Sequence, residues 1–191
     1  MSCIEIEKDL FESLTTDHVT DLMVHNYARI LIKQMFAKAS SEDIPITVIR
    51  MDIDNLKTVN DTLGHQVGNK VIWAAAEAAR ISCRTGWNWD PHREMDYILS
   101  RIGGDEQVYI LYNCTANKAE EIVKRIRQNF KSLLTIKNLH HTIIDDYKMY
   151  FIDLTFGIAQ RLPDESFERT DKRADDIAVK VKAEKKTFVK E

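Results

Sequence analysis

Two strand-forming runs, Tyr97-Ile98-Leu99-Ser100-Arg101-Ile102 and Gln107-Val108-Tyr109-Ile110-Leu111-Tyr112, flank Gly103-Gly104-Asp105-Glu106. Runs of this kind around a Gly-Gly turn form a β-hairpin, because glycine accepts the positive φ that tight turns require. The hairpin constrains everything around it, since its apolar faces must be covered. A third run, Ile46-Thr47-Val48-Ile49-Arg50-Met51, is short and β-branched and reads as a buried strand. Apolar residues recur at helical spacing over about 17–39, 55–63, 67–83, 117–133 and 171–185, and the segment 86–93 reads as a loop or insertion. Further strands are expected over 140–144 and 149–159, with a last short one at Thr187-Phe188-Val189. Helices and strands alternate around a central hairpin, which predicts an α+β fold: a sheet of mixed direction with helices packed on it.

A chain of 191 residues is long enough for one real core without staples. No Gly/Ser linker or internal repeat divides it, so a lead over 1–16 and one domain over 17–191 are expected. Lys plus Arg is 27 against 30 Asp plus Glu, a net charge of −3. This disfavours a broad basic face for nucleic acid, while small phosphorylated ligands need only a local cluster. No apolar run approaches the roughly 20 residues that span a bilayer. The acidic N-terminus has no secretory core. Cys3, Cys83 and Cys114 lack paired spacing, so reduced thiols and a cytoplasmic location are expected.

The strand Ile46–Met51 runs directly into Asp52-Ile53-Asp54. Carboxylates at a strand end can hold Mg²⁺, which prefers oxygen ligands and keeps substrate phosphates in its shell. The plainer alternative is that these aspartates cap the helix that follows. Asp105 and Glu106 repel each other in the Gly-Gly turn, and Asp105 on a neighbouring strand can complete a site begun by Asp52. Two Mg²⁺ (or Mn²⁺) ions there would neutralise a triphosphate and activate a ribose hydroxyl.

Taken together, Asp52-x-Asp54-x-x-Lys57-x-x-Asn60-Asp61-x-x-Gly64-His65-x-x-Gly68 and the later Gly103-Gly104-Asp105-Glu106 closely resemble the GGDEF family of nucleotidyl cyclases. Asp17-His18-Val19-Thr20-Asp21-Leu22 resembles the family's lead-in. Leu154-Thr155-Phe156-Gly157-Ile158-Ala159 is similar to its late strand, and Ala174–Lys182 to its last helix. The resemblance implies a palm-like, mainly antiparallel sheet and the joining of two nucleoside triphosphates into a cyclic dinucleotide. It implies that Asp52, the Ile53 carbonyl and Asp105 hold the metals, with Glu106 beside them as a further catalytic carboxylate. Gly103 and Gly104 would pass close to the α-phosphate, Lys57, Lys182 and Lys186 would reach the phosphates, and Asn60 and Asn69 would read the base. His65 belongs to the family's turn rather than to its proton chemistry. His140-His141 has no metal-ligand spacing around it and reads as structural or exposed.

The sequence departs from the family in several places. Gln107 replaces the final Phe of the signature, at a position expected to face hairpin packing. Asn69 stands where diguanylate cyclases usually carry Asp. An amide accepts once and donates once, which suits adenine, whereas a carboxylate accepts from guanine N1–H and its amine together. The expectation therefore leans to ATP and an adenine-containing product, with GTP and cyclic di-GMP as the alternative and a silent nucleotide sensor or a polymerase fragment as weaker ones. No sensor domain is expected before the cyclase, and such a stand-alone cyclase is also similar to minimal CRISPR-type polymerases linked to anti-phage signalling. Arg93-Glu94-Met95-Asp96 resembles a product-inhibition site, one residue out of register. Ring closure between two half-sites implies a homodimer across the active sites; the downstream receptor is not legible.

Overall fold

The Gly-Gly hairpin stands inside a five-stranded sheet in this computed structural model, which describes residues 3–83, 96–137, 139, 142–145 and 148–188. In chain order the elements are α1 (Cys3–Thr15), β1 (Met23–Val24), α2 (His25–Ser41), β2 (Ile46–Ile53), α3 (Leu56–Leu63), α4 (His65–Ser82), β3 (Tyr97–Gly103) and β4 (Glu106–Tyr112). There follow α5 (Ala116–Ile136), β5 (Thr142–Asp145), β6 (Lys148–Phe151), β7 (Leu154–Gln160) and α6 (Phe167–Phe188). The strand order is β1-β3-β4-β2-β7, with β5 and β6 paired as a separate hairpin. Among the described residues only the short β1–β3 pairing is parallel; β3–β4, β4–β2 and β2–β7 are antiparallel. The fold is α+β with a mixed, mainly antiparallel sheet, as the sequence predicts.

The two-residue period of strands divides the sheet into two faces. Ile49, Met51 and Ile53 of β2 point with Leu99, Tyr109 and Leu111 into a core covered by α3, α4 and α5. Ile46 and Val48 point the other way, with Ile98, Val108 and Ile110, under α2 and α6. Arg50 and Asp52 continue this second face. The same alternation sends Glu106 to the α6 side and Gln107 to the other. Gln107 is fully buried, accepting from the Tyr109 hydroxyl at 2.7 Å. α6 lies close on β7 because Gly157 has no side chain: a Cβ there would sit 1.9 Å from the Ala174 carbonyl oxygen. Cys83 and Cys114 are buried free thiols, and burial pushes Cys83 up to about 12.

Several expectations are corrected. The helix expected over 17–39 begins at His25, and a separate helix, α1, fills the lead before it. Asp17 instead folds a turn, with its Oδ1 accepting from the Val19 and Thr20 amides at 3.2 and 3.0 Å and from the Thr20 hydroxyl at 2.7 Å. Those local bonds compete with the helix. The 149–159 run is two strands in two sheets, broken at Ile152-Asp153. Thr187 and Phe188 end α6 rather than forming a strand. The insertion 86–93, the residues Arg93–Met95 of the product-inhibition pattern, His140-His141 and Val189 lie outside the described residues. Asp96, the last residue of that pattern, accepts the Tyr112 amide on its carbonyl at 2.8 Å.

Candidate active site

Asp52 and Glu106 are cross-strand partners at the same end of the sheet, the end where the hairpin turns. The turn is tight because Gly104 takes φ +56°, and the register shifts between Arg101 and Gly103. Arg101 braces it from one side, donating to the Gly104 carbonyl from Nη2 at 2.9 Å and to both Asp17 oxygens from Nη1 at 3.0 Å. Burial alone would raise the Asp17 carboxyl; the bonds from Thr20 and Arg101 more than reverse this and hold it below the usual range. A cavity of about 420 Å³ opens beside the turn, lined by Asp17, His25, Arg101, Gly103 and Gly104 among others.

Asp52 is half-buried, and its Oδ1 accepts from the Lys182 ammonium of α6. Burial pushes the Asp52 carboxyl above its ordinary value. The Lys182 bond opposes the shift, while the charges of Asp105 and Asp54 add to it. Lys182 is held above its own ordinary value: burial pulls it down, but Asp52, Asp105 and Asp54 outweigh that. Asp52 thus sits among the carboxylates of Asp54 and Asp105, and among the described residues Lys182 is the cation bonded to it. Asp105 is half-buried and Glu106 exposed, its carboxylate 4.0 Å from Arg50 Nη1. Arg50 is itself clamped to Asp171 of α6 by bonds of 2.5 and 2.6 Å.

The donor set fits Mg²⁺. Asp52, Asp105 and the Ile53 carbonyl offer oxygen ligands only, beside the further carboxylate charge of Asp54. Among the described residues no three His, Cys, Asp or Glu gather into an all-protein metal cage. Asp52, Asp105 and the Ile53 carbonyl are the groups able to hold the ion.

The remaining sequence-predicted residues are placed as follows. Lys57 is exposed in the first turn of α3. Asn60 is half-buried, and its Oδ1 lies where a Cβ of residue 68 would be, 1.8 Å away, so Gly68 is what admits this side chain. Asn69 is exposed on α4, the next residue along from that contact. His65 is exposed at the start of α4. The Lys186 side chain lies outside the described residues.

Sequence reasoning missed Lys185. Its ammonium donates to Asp54 Oδ2 at 2.7 Å, Asp153 Oδ2 at 3.1 Å and the Leu154 carbonyl at 2.9 Å. The available signal was its spacing, three residues beyond Lys182 on one helix face. The partners of Arg50 and Asp54 were missed as well, since both join residues more than a hundred positions apart.

A family model described as Diguanylate cyclase, GGDEF domain, matches residues 14–187. The probable diguanylate cyclase DgcJ of Escherichia coli (strain K12) is 27% identical over 143 residues, covering 73% of this chain and 27% of DgcJ. The probable diguanylate cyclase DgcT of the same strain is 32% identical over 117 residues, covering 61% of this chain and 23% of DgcT. The chain spans about a quarter of the length of these curated relatives. The solved coiled coil and GGDEF domain of DgcB from Caulobacter crescentus, in complex with c-di-GMP, matches with a TM-score of 0.71 at 23% identity, covering 92% of this chain and 84% of that one.

Proposed function

The chain belongs to the GGDEF family of diguanylate cyclases, and from that premise we propose that it is a nucleotidyltransferase joining two GTP molecules into cyclic di-GMP with release of two pyrophosphates. The observation that carries this reading is the half-buried Asp52, raised by burial and by its carboxylate neighbours and bonded by Lys182 of α6, at the foot of a Gly-Gly turn. A site of that charge seeks a cation together with a polyphosphate. The leaning towards ATP is replaced by GTP, because the relatives named above are described as diguanylate cyclases. Nothing in those relatives supports an adenine-containing product or an antiviral role.

In this reading Asp52, Asp105 and the Ile53 carbonyl would hold Mg²⁺. When bound, the ion supplies charge neutralisation on the triphosphate and activation of the ribose hydroxyl. Lys182 leaves Asp52 and neutralises phosphate oxygens, a role suited to a mobile point charge. Lys57 and Lys186 add charge along the phosphate chain. Gly103 and Gly104 let the backbone approach the α-phosphate, and Glu106 stands beside the reacting groups. Asn60, seated over Gly68, and Asn69 contact the guanine edge. One ribose hydroxyl attacks the α-phosphorus of the nucleotide held by a second copy, pyrophosphate leaves, and the reciprocal step closes the ring. The residues 17–191 form the catalytic unit and 1–16 its lead.

Asp52→Ala and Asp105→Ala should each abolish GTP turnover and leave the melting temperature near that of wild type, because these carboxylates contribute charge rather than packing. Near wild-type turnover by Asp105→Ala would remove the metal assignment.

A further inference from the structure

Lys182 and Lys185 leave the same face of α6, one helical turn apart, and their surroundings differ. An ammonium has three donors. Lys185 uses all three, on Asp54, Asp153 and the Leu154 carbonyl. Among the described residues Lys182 bonds Asp52 alone. The partners of Lys185 are themselves fixed. Asp54 Oδ1 accepts from the Thr155 hydroxyl at 2.7 Å, and the Asp54 amide donates to the Asp153 carbonyl at 2.8 Å. Asp153 Oδ2 also accepts from Arg127 of α5 at 2.9 Å. Charges of alternating sign thus run from Arg127 through Asp153 and Lys185 to Asp54, two residues beyond Asp52.

A saturated ammonium is a poor phosphate ligand, because recruiting it would take from half-buried Asp54 its cationic partner and from Asp153 one of two, leaving Asp54 only the Thr155 hydroxyl and Asp153 only Arg127 as side-chain donors among the described residues. It is a good pin. We propose that Lys185 is a positioning residue. It fixes the last turns of α6 against the ends of β2 and β7, so that Lys182 reaches the mouth of the site with donors to spare for a triphosphate. This rests on the reading of the site as a GTP site and adds to it which lysine binds phosphate and which one aims it.

The test is a double-mutant cycle on the full chain with Lys182→Met, Lys185→Met and both together, measuring the affinity of a non-hydrolysable GTP analogue with Mg²⁺ by calorimetry. Hydrogen exchange over 178–186 is followed in the protein without nucleotide. Loss of Lys182 should weaken binding about tenfold, the scale of one charge-assisted bond. Lys185→Met should weaken it about threefold or more and should speed exchange in the last turns of α6. In the Lys182→Met background it should cost less than about twofold, because an effect exerted through Lys182 has nothing left to act on. Single effects that multiply in the double variant, or Lys185→Met with wild-type affinity and wild-type exchange, would overturn the proposal while leaving the GTP reading in place. A wild type that binds no analogue would overturn both.

Discussion

Asp52 is the residue at which burial, like charge and a lysine partner meet. Its carboxyl is raised by burial and by neighbouring carboxylates, so its charged form gains from a cation beside it. Asn69 poses the complementary question of which base the site takes. On guanine an amide meets the N1–H and amine pair with only one acceptor, so Asn69→Asp should raise kcat/KM for GTP relative to ATP by about ten- to a hundredfold, the value of roughly 1–3 kcal/mol for one matched edge. Competition between equal ATP and GTP measures it. An unchanged ratio would show that Asn69 does not read the base. The long motif from Asp52 to Gly68 made these positions legible, because a fixed run of acid, lysine and amide residues survives in the primary structure. The pairs Lys185–Asp54 and Arg50–Asp171 were illegible, since each depends on how α6 settles against β2 across more than a hundred residues.

At the scale of elements, α6 is what closes the site, and its first turn is pinned as firmly as its last. Glu165 accepts from Arg173 Nε and Nη2 at 2.7 and 2.6 Å, from the Thr170 hydroxyl at 3.0 Å and from the Leu162 amide at 3.0 Å. Led by the Arg173 bonds, these lower its carboxyl from 4.5 to about 2. A depressed carboxyl stabilises the fold above its unfolded pKa and loses that contribution as pH falls through the folded one. Glu165→Gln should therefore lower the melting temperature at pH 7 by about 2–6 °C, with the gap from wild type narrowing as pH drops below 4.5 towards 2. A gap as wide at pH 3 as at pH 7 would contradict the assignment. The hairpin, β2, α5 and α6 were readable from periodicity and turn chemistry. The start of α2 was not, because Asp17 caps a local turn whose bonds no apolar pattern reports. Nor was the break at Ile152-Asp153, where the apolar run continues through a change of sheet.

For the whole molecule, one copy offers one set of site residues, while a cyclic dinucleotide needs two α-phosphates attacked in turn. On the function proposed above, two copies would face each other across a two-fold axis. Specific activity should rise with protein concentration in dilute solution, as followed by pyrophosphate release; a specific activity independent of concentration in a proven monomer would contradict this. Among the described residues no helix is long and apolar enough to cross a membrane. The central claim is tested most directly by incubating the purified protein with equal GTP and ATP and Mg²⁺ and weighing the products by mass spectrometry. Cyclic di-GMP should accumulate with wild type and be absent with Asp105→Ala. An adenine-containing dinucleotide as the main product, or no cyclic dinucleotide from wild type at any protein concentration, would contradict it.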